Sequence, residues 1–362
     1  MNFNQYLQKF GNILTKTRSI KLSQKIFFVQ QLSVMLKAGI SLSMALKTLS
    51  EQTTNKGFRE ILFDLQQSVE KGNLLSKGLE KYHKIFGDLF INMIRAGEAS
   101  GKLEDVLHQL FLQMKKDHEL VAKVKGAMIY PIIVITMMVA IGILVVIYVI
   151  PAISGVFKEL EVDLPLATRI LIWLSDFALK YGIFLAIGAV IIIAGFVKII
   201  NTPKGKQKFH QFLLKLPIVS PIIKKINLAR FCRTISSLLR TDIPIVKSFE
   251  ITANVLGNTI YRLALIDAKE KIKKGVSIRQ SLDSYSKIFP PVVLQMIAVG
   301  EDTGALDEIL EDSANFYEEE VSQTMENLPS IIEPVLMVVL GIAVAGMAVA
   351  VIMPMYSLSQ SI

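Results

Sequence analysis

Apolar residues follow two regimes along the chain. In residues 23–126 and 201–330 they recur at spacings of three and four, as in Leu32, Met35 and Leu36, then Leu42, Ala45, Leu46 and Leu49, then Ile61, Leu62, Leu65 and Val69. Such stripes belong to short amphipathic helices that bury one side, and no alternating, strand-like stretch competes with them. Gly39 and Gly72 stand where left-handed helix caps are expected, and Gly101 reads as the turn before a long helix from Leu103 to Lys125. Asp88 is placed to cap a helix running toward Ala99. The pattern predicts an all-α bundle of about six short helices in each segment.

In the second regime the polar positions vanish. No residue from Gly126 to Phe157 is charged, and Ile132 to Ile150 is almost entirely Ile, Val, Met and Ala. At about 1.5 Å per residue, roughly 20 apolar residues cross the hydrocarbon of a bilayer, so a transmembrane helix is expected at 127–152. A second is expected at 181–200, where the one charge, Lys198, can snorkel to the interface. A third is expected at 331–356, uncharged from Pro334 onward. The predicted order is an N-terminal segment (1–22), a first helical repeat (23–126), the first span and an external loop (153–180). The second span, a second helical repeat (201–330), the third span and an external tail (357–362) complete it.

Charge orients these spans. Of the 40 Lys and Arg residues, 19 fall in residues 1–127, 3 in 151–180 and 18 in 198–330, which puts both long segments on the cytoplasmic side by the positive-inside bias. The intervening loop carries Glu159, Glu161, Asp163 and Asp176 and is expected outside. The net charge of +9 is thus accounted for by topology, and no nucleic-acid partner is expected. Met1 to Arg18 lack the continuous apolar core of a signal peptide, so the N-terminus is expected to stay in the cytoplasm. Cys232 is the one cysteine, which excludes an intramolecular disulfide and any multi-cysteine metal site; it reads as a small buried hydrophobe.

The chain also matches itself at an offset of 203 residues, without a gap from Phe28 to Pro131. Phe28 meets Phe231, Ser33 meets Ser236, Ile40 meets Ile243, Tyr82 meets Tyr285, and Lys84-Ile85-Phe86 meets Lys287-Ile288-Phe289. The block Gly97-Glu98-Ala99-Ser100-Gly101 becomes Gly300-Glu301-Asp302-Thr303-Gly304, and Pro131 meets Pro334. Two homologous domains in tandem, each followed by a membrane helix, are therefore expected. The second span returns the chain to the cytoplasm, so the repeats are parallel and not inverted. At one turn Asp242-Ile243-Pro244 replaces Gly39-Ile40-Ser41, and proline is expected to begin the next helix there.

Candidate chemistry is sparse. No Gly-x-x-x-x-Gly-Lys-Ser/Thr loop for a nucleotide is present, and His83, His108, His118 and His210 form no metal-ligand pair. No catalytic residue, metal or cofactor is expected. Glu98, Glu104 and Asp105, and again Glu301, Asp302, Asp307 and Glu308, read as acids complementing a helix dipole or, more sharply, as a shared cation or partner site. Gly97, Glu98 and Gly101 with Gly300, Glu301 and Gly304 are the candidate turn or interface motifs. Glu318-Glu319-Glu320 reads as a solvated helix face. Glu333, at the mouth of the third span, is either wet at headgroup level or functional, because a carboxylate at the bilayer centre costs about 3 kcal/mol. Gly341 with Ala345 and Gly346 with Ala350, four apart, suit close helix packing and self-association.

The stretch from Leu32 to Leu46, the paired glycine-glutamate blocks, the stretch from Leu164 to Phe177 and the tail from Ile352 to Leu358 resemble the inner-membrane platform family of type II secretion, type IV pilus assembly and competence pseudopili. The resemblance runs from about Ser23 onward, nearly the whole chain. It implies a non-enzymatic scaffold in the bacterial cytoplasmic membrane that couples a hexameric cytoplasmic assembly ATPase to polymerisation of pilins or pseudopilins. Other inner-membrane assembly proteins and a second copy of the chain are the further partners it implies. Pilus biogenesis, protein secretion and DNA uptake are the candidate outputs. A small membrane transporter is the alternative from another class, and Glu333 is the one polar group it has to build on.

Overall fold

The computed structural model describes residues 20–151 and 166–361, and among them it holds fourteen α-helices, one π-helical turn and no strand. The first repeat comprises α1 (Leu22–Lys37), α2 (Leu42–Gln52), α3 (Lys56–Glu70), α4 (Leu75–Glu80), α5 (His83–Ser100) and the start of α6 (Leu103–Leu144). A π-helical turn, Val145–Val149, follows α6; then come α7 (Leu166–Ile200) and α8 (Pro203–Leu213). The second repeat comprises α9 (Val219–Leu239), α10 (Ile245–Val255), α11 (Thr259–Ile272), α12 (Ile278–Asp283), α13 (Pro291–Thr303) and the start of α14 (Leu306–Ser361). The expected N-terminal segment lies almost wholly outside the described residues, as do Glu159, Glu161, Asp163, Leu164 and Pro165 of the expected loop and its motif.

Each repeat is built on an aromatic trio at matching positions. Phe28 meets Phe58 edge-on at 5.6 Å, and Phe86 tilts against both at 6.5 Å. In the second repeat Phe231 meets Phe289 at 5.1 Å, and Tyr261, standing where Phe58 stands, meets Phe289 at 5.4 Å. Such offset and edge-on pairs add about 0.5–1.5 kcal/mol to the area they bury. Tyr261 keeps its hydroxyl satisfied by donating to the Ile288 carbonyl at 2.9 Å.

The repeats do not stand as separate bundles. The described parts of Met1–Val121 and His210–Val321 form one compact unit. Leu238, Ile243 and Ile251 of the second repeat join the buried core of the first, beside Met93, Val106 and Leu107. Periodicity marks which face of a helix is apolar, but not which bundle that face will meet.

The turns keep their geometry across the duplication. Gly39 has φ +82°, and its counterpart Asp242 takes φ +58°, a left-handed conformation in which a side chain is strained. Pro244 is the N-cap of α10 and not its first residue. Asp88 does not cap a helix either. The break falls at Gly87, whose φ of +80° interrupts α5, and the Asp88 carboxylate meets His83 at 2.7 Å and the Asn254 amide at 3.0 Å.

Ala122–Phe209 and Ser322–Ile362, where described, form the second unit. The helices expected to end near the membrane run on into it: α6 passes through Pro131, and α14 through Pro329, Pro334 and Pro354. Both are long and apolar enough to cross a membrane. A third span results if the two parts of α7, Ser175–Phe184 and Ile187–Ile200, bent by 60°, count as one. Ile183, Phe184, Ile192 and Ile342 are exposed, as a surface solvated by lipid requires. Pro151 has no N–H to return to the Val146 carbonyl, which instead accepts from the buried Ser175 hydroxyl at 2.6 Å.

Candidate functional site

The paired glycine-glutamate blocks occupy matching corners. Gly101 and Gly304 end α5 and α13 in left-handed conformation, with φ of +71° and +73°. Gly97 and Gly300 lie where the next helix crosses most closely. A Cβ on Gly97 would stand 3.0 Å from Val106 and 3.1 Å from the Leu103 backbone, and one on Gly300 2.9 Å from the Leu306 backbone. The glutamate between the glycines points back to the six-residue helix upstream. Glu98 accepts from the backbone N–H of Leu75 and, at 3.0 Å, of Ser76. Glu301 accepts from Ile278 at 2.6 Å and from Arg279 at 3.1 Å. Both oxygens of each carboxylate thus take orphan donors at the start of α4 or α12. Nearby, Tyr82 donates to Asp64 at 3.0 Å, and Tyr285 to Asp267 at 3.0 Å, again one pair per repeat.

Glu98 and Glu301 are each confined to their own repeat and do not converge on one cation. Among the described residues no group of three or more His, Cys, Asp or Glu could hold a metal ion. Glu104 and Asp105 stand in the first turn of α6, and Asp307 and Glu308 in that of α14, where acids favour the dipole. Cys232 is fully buried, and burial pushes its thiol up to about 12.

A polar seam joins the repeats. Gln113 of α6 donates to Thr234 at 3.3 Å and accepts from Ser237 at 3.0 Å, and Arg230 meets Asp117 at 2.7 Å. Beside it Arg233, buried within α9, donates to both oxygens of Glu318 at 2.8 and 3.0 Å, to Asn315 at 2.5 Å and to Glu311 at 3.4 Å. Lys116 of the first repeat reaches Glu318 at 3.4 Å. This corrects the reading of Glu318-Glu319-Glu320 as a solvated face: Glu318 is largely buried, and Glu320 pairs with Lys225 at 2.7 Å. The cluster was missed in sequence, although Arg233 falls between the apolar positions Cys232 and Ile235 of one helix, a signal for it since buried charge needs a partner. His210 is also engaged: its Nδ1 accepts the Thr259 N–H at 2.9 Å, at the start of α11.

Glu333 is exposed on α14 within its apolar stretch. Gly341, Ala345 and Gly346 lie farther along the same helix with exposed surfaces, and Ala350 follows on it. A cleft of about 240 Å³ lies between α1 and the loop after α2, lined by Ser23, Gln24, Phe27, Leu49, Thr53 and Phe58.

A family described as type II secretion system (T2SS), protein F, matches the chain twice, at residues 28–151 and 231–354, the same 203-residue offset. The type IV pilus assembly protein PilC of Thermus thermophilus is 36% identical over 352 residues, covering 97% of this chain and 86% of the relative. PilC of Myxococcus xanthus is 33% identical over 337 residues, 93% of this chain and 81% of that protein. The type II secretion system protein F of Pseudomonas aeruginosa is 29% identical over 350 residues, covering 97% and 86%.

Proposed function

The chain belongs to the type II secretion system protein F family, and from that premise we propose that it is the inner-membrane platform of a type IV pilus or type II secretion assembly machine. In this role it takes no part in catalysis. It couples a hexameric cytoplasmic assembly ATPase to the insertion of pilin or pseudopilin helices into a growing fibre. The observation that carries the reading is the double family match in register with paired structural corners, together with relatives named for pilus assembly and for secretion. Pilus assembly is the first reading because the PilC relatives reach 33 and 36% identity.

Both repeats face the cytoplasm in this reading, as the Lys and Arg distribution supports. Deleting the gene, with a complemented strain as control, tests it in one experiment that images surface filaments and assays secreted proteins and DNA uptake. Loss of filaments is expected for a pilus platform, and loss of secretion for a type II system. Persistence of all three outputs in a strain without a paralogue overturns the reading. The full chain in detergent should also retain the cognate ATPase on purification.

A further inference from the structure

The contact between the repeats is one-sided. The second repeat inserts Leu238, Ile243 and Ile251, from α9, the corner after it and α10, into a surface of the first formed by α5 and α6. A twofold relation would at the same time have seated the α1–α2 corner of the first repeat on α13 and α14 of the second. That surface is open. Met93 and Val106 are buried in the first repeat, whereas their counterparts Met296 and Ile309 line a groove of about 410 Å³ with Val292, Gln295, Val299 and Asp312. Met296 is 38% exposed and Val299 47%.

The matching insert is open too. Ile243 and Ser237 are buried in the seam, but their counterparts Ile40 and Val34 are 39% and 57% exposed, with Met44 exposed beside them. The chain therefore carries both halves of a used interface, one on each repeat, uncovered by any described residue. At several matched positions the free halves are more apolar than the used ones, although Thr48 stands where Ile251 is buried. Gln113, which bonds Ser237 and Thr234, is replaced by Phe316, 55% exposed, and Ser237 by Val34. Asp242, which faces Lys102, is replaced by Gly39, and Lys102 by Ala305. A polar seam suits two segments tethered in one chain. An apolar version suits two separate chains, which need a larger gain from burial to offset the entropy of association.

We propose that this protein associates head to tail with a second copy of itself, the α1–α2 corner around Ile40 and Val34 of one copy entering the α13–α14 groove around Met296 and Val299 of the next. The contact repeats between chains the one made within each chain. Such an interface is heterologous, so it builds rings or open arrays and not a symmetric pair. It is separate from the small residues of α14 and stands whether or not the pilus reading holds.

The test uses the full chain in its native membrane, with Cys232→Val as background. One tagged copy carries Ile40→Cys and a differently tagged copy carries Val299→Cys, and a short bismaleimide is added to membranes holding both. The expected result is a cross-linked product carrying both tags, while either variant alone gives none. Met296→Glu in the groove copy should reduce that product about tenfold, as loss of a central apolar anchor does. Should Met296→Glu fail to fold, Ile40→Asp in a copy whose linking cysteine is moved to Val34→Cys probes the same contact from an exposed corner. Absence of the mixed product, cross-linking of one variant to itself, or a product indifferent to both charges overturns the proposal.

Discussion

Leu74 and Ser277 precede the two six-residue helices, and only the serine has a side chain that caps, accepting from Gln280 at 3.2 Å. In the first repeat the side-chain acceptor comes from Glu98, 23 residues downstream of Leu75. Glu98→Gln should therefore lower stability by about 1–2 kcal/mol and Glu301→Gln by less, about 1 kcal/mol, in urea melts of the detergent-solubilised chain. Asp242→Gly relieves a left-handed aspartate at the expense of an exposed 3.6 Å pair with Lys102, and a gain of about 0.5–1 kcal/mol is expected. Tyrosines set the alkaline limit. Burial, then the hydrogen bond to Asp64, pushes Tyr82 up to about 12, and burial does the same for Tyr317. Their unfolded phenols ionise near 10, so their contribution is whole below that pH and is lost as pH rises toward 12. Melts at pH 9–12 should show that fall, less steep in Tyr82→Phe. The shared placement of Glu98 and Glu301 was legible because one residue recurs at one repeat position; their donors were not, since a backbone N–H leaves no mark in sequence.

Helices were legible wherever burial is one-sided, which is why α2, α3 and the starts of α6 and α14 follow the apolar spacing of the chain. Their ends were less so. A helix from Leu103 to Lys125 and a separate span from 127 are expected from the sequence, yet α6 runs through both without a break and carries Pro131 internally, as α14 carries Pro334. A lost N–H and a clash at one turn are tolerated when long apolar stretches hold the helix on both sides. The pairing of α9 with α14 through Arg233 and Glu318 was hidden for a different reason: the residues lie 85 apart and belong to no periodic pattern. Arg233→Ala leaves Glu318 largely buried without its bidentate partner, and a loss of about 3 kcal/mol is expected. Arg233→Met combined with Glu318→Leu removes both charges and should recover most of that loss, so a double-mutant cycle reads the coupling directly.

At the scale of the whole molecule the described parts of the two repeats are packed into one compact unit. The first repeat's core is completed by Leu238, Ile243 and Ile251, so the two repeats should unfold together despite the membrane helices and linker that separate them in the chain. Ile251 is the sharpest probe because it is 1% exposed on α10 while its counterpart, Thr48, belongs to neither core. Ile251→Ala removes buried methyl groups at a cost of about 2–4 kcal/mol. If the cores are continuous, amide exchange should accelerate in α5 and the first turns of α6 as much as in α10, because all three share one cooperative opening. A change confined to α9–α13 would mean that each repeat opens alone and that the seam merely rests one bundle on another. Shared cooperativity also bears on function: a load applied to one repeat of a platform would be borne by both.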